Sequence, residues 1–446
     1  MQYQVNVNFD RQIGPIKPIH AVNNGPVQTY NGSWDISHYY REMNIPYSRL
    51  HDTEAPYGAG QFVDIHCVFP DFDADETLPE SYRFTCTDLC LKGIIDAGGE
   101  PFYRLGEAID HTDNKLYVHP PKDFAKWARI CEHIIRHYNE GWANGFHFGI
   151  TYWEIWNEPE GKASNMWTGT WQQYYELYDI TARHLKACFG DTIKVGGFAA
   201  TNINYIFVEE ETPRHTYCRE FGEGFFDYIK KTGAPLDFFS YHKYTNEPRD
   251  FYPYNNKIRK WLDDKGYPDA ELILNEWHNG YFRGPNEVKS VAMGAETGMA
   301  LIAGQKSVVD MMMYYDLRRT TAFNSMISMN FEPLADFFPF AMFGKLYALG
   351  TEVDSGAYDL NSKIAVCAAA GQGKGGIMIT NMDPSPEAVE YQFRIEGWEK
   401  FKRIKAKVLS QRVSSAFPTT FLDIPACGEF TLRVEGFQSL VYVSFA

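Results

Sequence analysis

Two glutamates stand where apolar strands have no need of them. Glu158 closes the run "TYWEIWNE" (151–158), and Glu276 lies in "ELILNEW" (271–277). Taken singly, either is a helix cap or one half of a salt bridge. Together they are two carboxylic acids 118 residues apart (276 − 158), each delivered by a strand whose body reads as buried. Two carboxylates flanking one bond are what glycoside hydrolysis requires. With about 5 Å between them, one attacks the anomeric carbon while the other protonates the leaving oxygen, and configuration is retained. Other strand-like runs also end in polar groups: Arg49-Leu50-His51-Asp52, Asn157 before Glu158, His242-Lys243-Tyr244, and Asn275 before Glu276. Core packing gives no reason to collect such residues at strand ends. A shared rim does.

The elements that must hold them form a regular series. Eight short apolar runs alternate with amphipathic segments: "HAVNN" (20–24), "PYSRLH" (46–51), "PFYRLG" (101–106), "TYWEIWNE" (151–158), "IKVGGFA" (193–199), "LDFFSYHKY" (236–244), "ELILNEW" (271–277) and "VDMMMYYDL" (309–317). Strands alternating with helices imply βαβ units and a parallel sheet. Eight buried runs predict a closed (β/α)₈ barrel, the TIM barrel of the α/β class, with its active site at the C-terminal strand ends. At roughly 40 residues per unit, the 118-residue interval puts Glu158 and Glu276 at the tips of strands four and seven. Between the strands, "DFAKWARICEHIIRHYNE" and "WQQYYELYDITARHLKACFG" read as helices. In the second, Tyr174, Leu177, Tyr178, Thr181 and Leu185 form one apolar stripe, and Gly190 is the stop.

After about residue 345 the texture changes to "SKIAVCAAAG", "GGIMITNMD", "VEYQFRIEG", "KRIKAKVLS" and "QSLVYVSFA", strand-like runs broken by Gly, Pro and Asp. This predicts a C-terminal β-sandwich over 345–446 beside a barrel over 12–344. The alternating "YQVNVNF" within residues 1–11 is expected to pair with that sandwich. "GQGKGG" (371–376) lacks the Ser/Thr and spacing of a phosphate loop and reads as a hairpin of the sandwich. "DFDADE" (71–76) fails as a calcium loop, because its sixth and twelfth positions are Glu76 and Tyr82, and it reads as a solvated loop over the barrel mouth, on the aglycone side.

Composition narrows the partners. Of 446 residues, 44% are hydrophobic and 22% charged, a globular balance, while aromatics reach 16%. Such a surplus of rings fills a core, and it also suits stacking on sugar C–H faces. The formal net charge of −15 argues against nucleic acid and anionic membranes as partners. No run approaches about 18 apolar residues, so no membrane span is expected. The start has no signal-peptide pattern; a cytoplasmic location is the expectation, although a trimmed leader would look the same. Eight scattered cysteines read as reduced core residues, and Cys86 with Cys90 lacks two further ligands for zinc. No cofactor and no metal is expected.

"WEIWNEPE" followed by "LILNEWH" resembles the clan A retaining glycosidases, in which a strand-four Asn-Glu-Pro carries the acid/base and a strand-seven Glu is the nucleophile. Within that clan the chain is most similar to glycoside hydrolase family 39, the β-xylosidases and α-L-iduronidases, with "YSRLHD", "PFYRLG" and "FFSYHKY" as further counterparts over residues 12–344. The resemblance implies Glu158 as acid/base and Glu276 as nucleophile. It implies Asn157 on the sugar 2-hydroxyl, Tyr244 orienting the nucleophile, Arg49 keeping Glu276 ionised, and His51 and His242 lining the sugar. Low-dielectric surroundings, Trp153 and Trp156 among them, would keep Glu158 protonated. Trp277 is a candidate for either pocket or core. Two departures matter. "VDMMMYYDLRR" lacks the family's strand-eight tryptophan, for which Tyr315 is the candidate replacement. The place of the iduronidases' carboxylate-binding lysine holds Tyr244, with Lys243 on the opposite parity, which favours a neutral pentosidase over a uronidase. The implied protein is a retaining exo-glycosidase on oligosaccharide or glycoside substrates, most like a β-xylosidase. Enzymes for arabinosides, glucosides or uronides are the alternatives within the class. A non-catalytic carbohydrate-binding barrel is the alternative outside it, and it has no need of both carboxylates.

Overall fold

The computed structural model describes residues 1–27, 35–53, 62–161, 166–201, 203–208, 212–279, 290–318, 326–410 and 419–446. In chain order the first nine strands are β1 (Gln2–Pro15), β2 (Ala21–Asn23), β3 (Tyr47–Leu50), β4 (Glu100–Leu105), β5 (Tyr152–Ile155), β6 (Lys194–Ala200), β7 (Phe238–Thr245), β8 (Glu271–Asn279) and β9 (Met311–Tyr314). Strands β2 to β9 close into a barrel of parallel neighbours. They are the eight runs read from the sequence.

The period of two explains the layers. Ala21, Phe102, Tyr152, Phe238, Ile273, Met311 and Met313 fill the barrel interior, while Tyr103, Trp153, Phe239, Leu272 and Met312 face the surrounding helices. Helix Phe124–Glu140 starts where the Asp123 carboxylate accepts from the Lys126 amide at 2.9 Å. Helix Trp171–Phe189 opens on a Thr170/Gln173 capping box, buries the predicted stripe, and ends at Gly190. The acidic run at 71–76 is a loop docked on the first of these helices, where Arg129 donates to Glu76 at 2.7 Å.

The remaining strands are β10 (Thr351–Asp354), β11 (Ile364–Gly371), β12 (Lys374–Asn381), β13 (Val389–Glu396), β14 (Ile404–Ser410), β15 (Thr419–Ile424), β16 (Glu429–Val434) and β17 (Ser439–Phe445). With β1 they make one sheet in the order β15-β14-β17-β12-β11-β10-β1-β13-β16. Only the β1–β13 pair in this sheet is parallel. Three strands separate β1 from β17, yet the Phe9 and Phe445 rings lie 4.9 Å apart. The sheet therefore curls over into a sandwich around Val5, Val7, Phe9, Ile377, Phe393, Val441 and Val443. "GQGKGG" is its β11–β12 hairpin. Gly371 pairs with Lys374, and Gln372 and Gly373 take the left-handed conformation that a two-residue turn demands.

Helix Val291–Lys306 is buried on nearly every side because it lies between barrel and sandwich. Gly298 makes that approach possible: a Cβ there would lie 3.0 Å from Leu440 of β17 and from Thr380 of β12. Among the described residues no helix is long and apolar enough to cross a membrane, and all eight cysteines are free.

Candidate active site

The ends of β3, β5, β7 and β8 bring the polar residues together. On β3, Ser48 and Leu50 alternate with Arg49, whose guanidinium turns inward and is wholly buried. A bare buried guanidinium would be prohibitively costly, so its donors must all be used. Nε donates to Glu154 Oε2 at 2.7 Å, Nη1 to Glu276 Oε1 at 2.8 Å and to Asn23 Oδ1 at 3.3 Å, and Nη2 to Asn157 Oδ1 at 2.5 Å. Glu154 in turn accepts from Ser240 Oγ and Asn275 Nδ2, each at 2.6 Å. One arginine thus ties the tips of five strands into a single network.

Glu276 is 5% exposed and accepts a second bond from the Tyr244 hydroxyl at 2.7 Å. Burial pushes its carboxyl above the ordinary carboxylate range, while His242, Arg49 and Tyr244 pull it down. Arg49 was expected to hold it ionised; it offsets only part of the burial, because the same guanidinium is shared with Glu154.

Glu158 follows β5 in a left-handed conformation, as do Trp156 beside it and Asn24 and Asp52 at the ends of β2 and β3. Non-glycine residues held there cost about 1–3 kcal/mol each, and such strain gathers at functional sites. Gly106, after β4, makes room for the bend: its φ is 147°, and a Cβ would lie 3.0 Å from the Trp156 ring. Burial raises the Glu158 carboxyl to about 7. Its Oε1 lies 2.6 Å from His242 Nδ1, and burial depresses that imidazole to about 4. Between those values Glu158 holds a proton facing a neutral His242. His242 Nδ1 is also 3.4 Å from Glu276 Oε2. One oxygen from each glutamate and this nitrogen all lie within 4.8 Å of one another.

The other expected residues are placed as follows. His51 Nε2 is 3.3 Å from Asn157 Nδ2 and 3.9 Å from Glu276 Oε1. The Tyr315 hydroxyl donates to Asp52 Oδ2 at 3.0 Å, with its ring 6.5 Å from that of His51. Arg49, His51, Asn157, Glu158, His242, Tyr244, Glu276 and Tyr315 therefore share one site. Trp277 does not. Parity turns it outward from Glu276, and it packs at 0% exposure against Phe251, Tyr314 and Phe340. Trp153 and Trp156 also belong to the layer between barrel and helices. Trp153 stacks on Tyr103, and Trp156 meets Trp127 and Trp167. Lys243 points away from the mouth to Asn204 and the Tyr254 ring.

Three members of the network were not singled out from the sequence: Asn23, Glu154 and Ser240. A signal existed for Glu154, a charged residue with inward parity inside "YWEIW". Asn23 and Ser240 carry none, since short polar residues near strand ends are commonplace.

The family model for glycosyl hydrolases family 39 matches residues 3–258, more than half of the chain. That span contains Arg49, Glu158 and His242 but stops short of Glu276. A β-xylosidase of Geobacillus stearothermophilus is 28% identical over 150 residues, which are 31% of this chain and 29% of that protein. One of Caldicellulosiruptor saccharolyticus is 26% identical over 165 residues, 35% of this chain and 30% of that protein. The matched stretch is thus under a third of either relative's length. Solved structures overlay far more of the molecule. A glucosidase from Croceicoccus marinus has a TM-score of 0.80 at 21% identity, covering 100% of this chain and 99% of that one. A family 39 β-xylosidase from Caulobacter crescentus has 0.69 at 17%, covering 99% of each. An α-L-arabinofuranosidase from Thermotoga maritima has 0.69 at 15%, covering 100% of each. At these identities the likeness establishes the fold. With the match to the family model across the strands that carry Arg49, Glu158 and His242, the chain belongs to glycosyl hydrolases family 39.

Proposed function

We propose that the protein is a retaining exo-glycosidase for neutral pentosides, β-xylosidase-like, in which Glu158 is the acid/base and Glu276 the nucleophile. The carboxyl pair carries this reading. Oxygens within 4.8 Å of each other support direct attack on the anomeric carbon over attack by an intervening water. The surroundings also separate the roles. Glu158, raised to about 7, keeps a proton to give to the leaving oxygen. Glu276, bonded by Arg49 and Tyr244, is oriented for attack. Once Glu276 is esterified its negative charge is gone, the Glu158 pKa falls, and Glu158 draws a proton from the incoming water. Asn157, fixed by Arg49, is placed to bond the sugar 2-hydroxyl.

A neutral sugar is favoured by how the cations are used. The three arginines whose charge reaches His51 are Arg49, Arg104 and Arg318, and each is paired with an acid: Glu154 and Glu276, Asp64, and Asp316 respectively. With Lys243 turned away, none of these is available to greet a uronate. The two β-xylosidase relatives support xylose over other pentoses.

Hydrolysis of a panel of 4-nitrophenyl β-xyloside, α-L-arabinoside, β-glucoside and β-glucuronide, with proton NMR of the first sugar released, tests the proposal. The β-xyloside should be cleaved fastest and yield the β-anomer first, and Glu276→Ala should abolish turnover. An α-anomer first would exclude double displacement. Inactivity across the panel would favour a binding barrel.

A further inference from the structure

The outer face of β1 carries an unusual stripe. Over residues 2–9 the inward residues Val5, Val7 and Phe9 are buried, and the alternating outward ones are the amides Gln2, Gln4, Asn6 and Asn8. Parallel pairing sets them beside Glu390, Gln392, Arg394 and Glu396 of β13. Over the Asn6–Asn8 end opens a groove of about 770 Å³, bordered by Trp398 and Gly428.

We propose that this groove is a second, non-catalytic site for a neutral oligosaccharide. Three observations converge. First, its cations are already matched. Arg11 pairs with Asp354 at 2.8 Å and Arg394 with Glu429 at 3.6 Å, and the Asn8 amide donates to Glu396. An anionic ligand finds no unmatched cation to compensate its desolvation, and a polyol needs none. Second, the open hydrogen-bonding groups are those a sugar uses. Among the described residues the Asn6 amide, a paired donor and acceptor, has no partner, and neither has the Trp398 indole N–H. Vicinal hydroxyls present the complementary pair. Third, the half-buried Trp398 depends on a glycine: a Cβ at Gly428 would lie 2.5 Å from Nε1, so any larger residue would displace the indole. A rigid aromatic edge beside convergent amides is the make-up of a small-molecule site. It lies on the curled sheet, away from the strand ends that carry Glu158 and Glu276. The choice of a sugar as ligand rests on the glycosidase reading.

Affinity electrophoresis in gels containing soluble arabinoxylan, mixed-linkage β-glucan or arabinan tests it, with 4-nitrophenyl β-xyloside kinetics run in parallel. Wild type should be retarded by at least one of them. Trp398→Ala and Asn6→Ala should each weaken that retardation at least fivefold and leave kcat/KM on the small glycoside within twofold. Asn6 is exposed, so its variant bears on the groove even if Trp398→Ala fails to fold. Retardation unchanged in Asn6→Ala and in any folded Trp398→Ala, absent from wild type in every gel, or abolished by an active-site inhibitor would overturn the proposal. Retardation sensitive to Asn6 in a protein inactive on every aryl glycoside would uphold the groove and sink the glycosidase reading instead.

Discussion

Replacing Glu158 by glutamine should change how the protein withstands pH as well as what it catalyses. The carboxyl stands at about 7 in the folded protein against 4.5 ordinarily, with burial as the main cause. That difference of about 2.5 units corresponds to about 3 kcal/mol. The sign follows from who holds the proton. Between the two values the folded state keeps it and the unfolded chain has released it. The contribution is therefore complete below about pH 4.5 and lost as pH rises through about 7. Glutamine cannot titrate, yet it can still face His242 Nδ1. Melting curves of wild type and Glu158→Gln at pH 5, 6, 7 and 8 isolate the effect. For 446 residues the unfolding entropy is about 1 kcal/mol per kelvin, so the variant should gain about 3 °C on wild type across that range. A gap that stays flat would refute the argument, since Glu158 would then ionise as an ordinary surface carboxylate.

Activity should follow the same proton: kcat/KM will fall above about pH 7 as Glu158 ionises, and below an acid limb set by Glu276 that lies higher than an ordinary carboxylate; Glu158→Gln should erase the alkaline limb. Tyr244→Phe removes a hydrogen bond to a buried carboxylate, worth about 1.5–3 kcal/mol, and should lower kcat/KM by about 10- to 100-fold with circular dichroism unchanged. Glu154→Gln should destabilise the protein by about 3 kcal/mol in urea unfolding and move the acid limb down, since Arg49 would then serve Glu276 more fully; an unmoved limb would show that the two acids do not compete for Arg49. Trp277→Phe should cost about 2 kcal/mol of stability and leave KM within twofold, because the indole packs among Phe251, Tyr314 and Phe340.

The barrel was legible because its eight strands are buried on both faces, and such strands announce themselves as unbroken apolar runs. The sandwich was less so. β13 and β14 carry clear alternation, and β11, β12 and β17 are largely buried apolar runs. β10 has only four residues; β15, at one edge of the sheet, is exposed over residues 420–423, and β16, at the other edge, alternates over only six residues. At the site, strand-end residues could be named from parity and position. The hub could not. Arg49 was seen as a helper of Glu276, but its stronger involvement with Glu154 depends on which interior residues meet at one height in the barrel, a matter of stagger between strands that no single run encodes. Trp277 shows the opposite limit: adjacency to Glu276 left pocket and core open, and the structure places it in the core.

β1 has a consequence for how the molecule is made. It is synthesised before the barrel, yet Gln2 pairs with Glu390 of β13. Every barrel residue is synthesised between the two halves of that pairing. The sheet therefore cannot close during translation until nearly the whole chain has emerged, and its contacts are among the longest-range in the protein. Until β10 and β13 have emerged, β1 is an alternating strand without either neighbour, which is the species a chaperone or an aggregate would capture. Once closed, the sheet joins a strand made before the barrel to strands made after it.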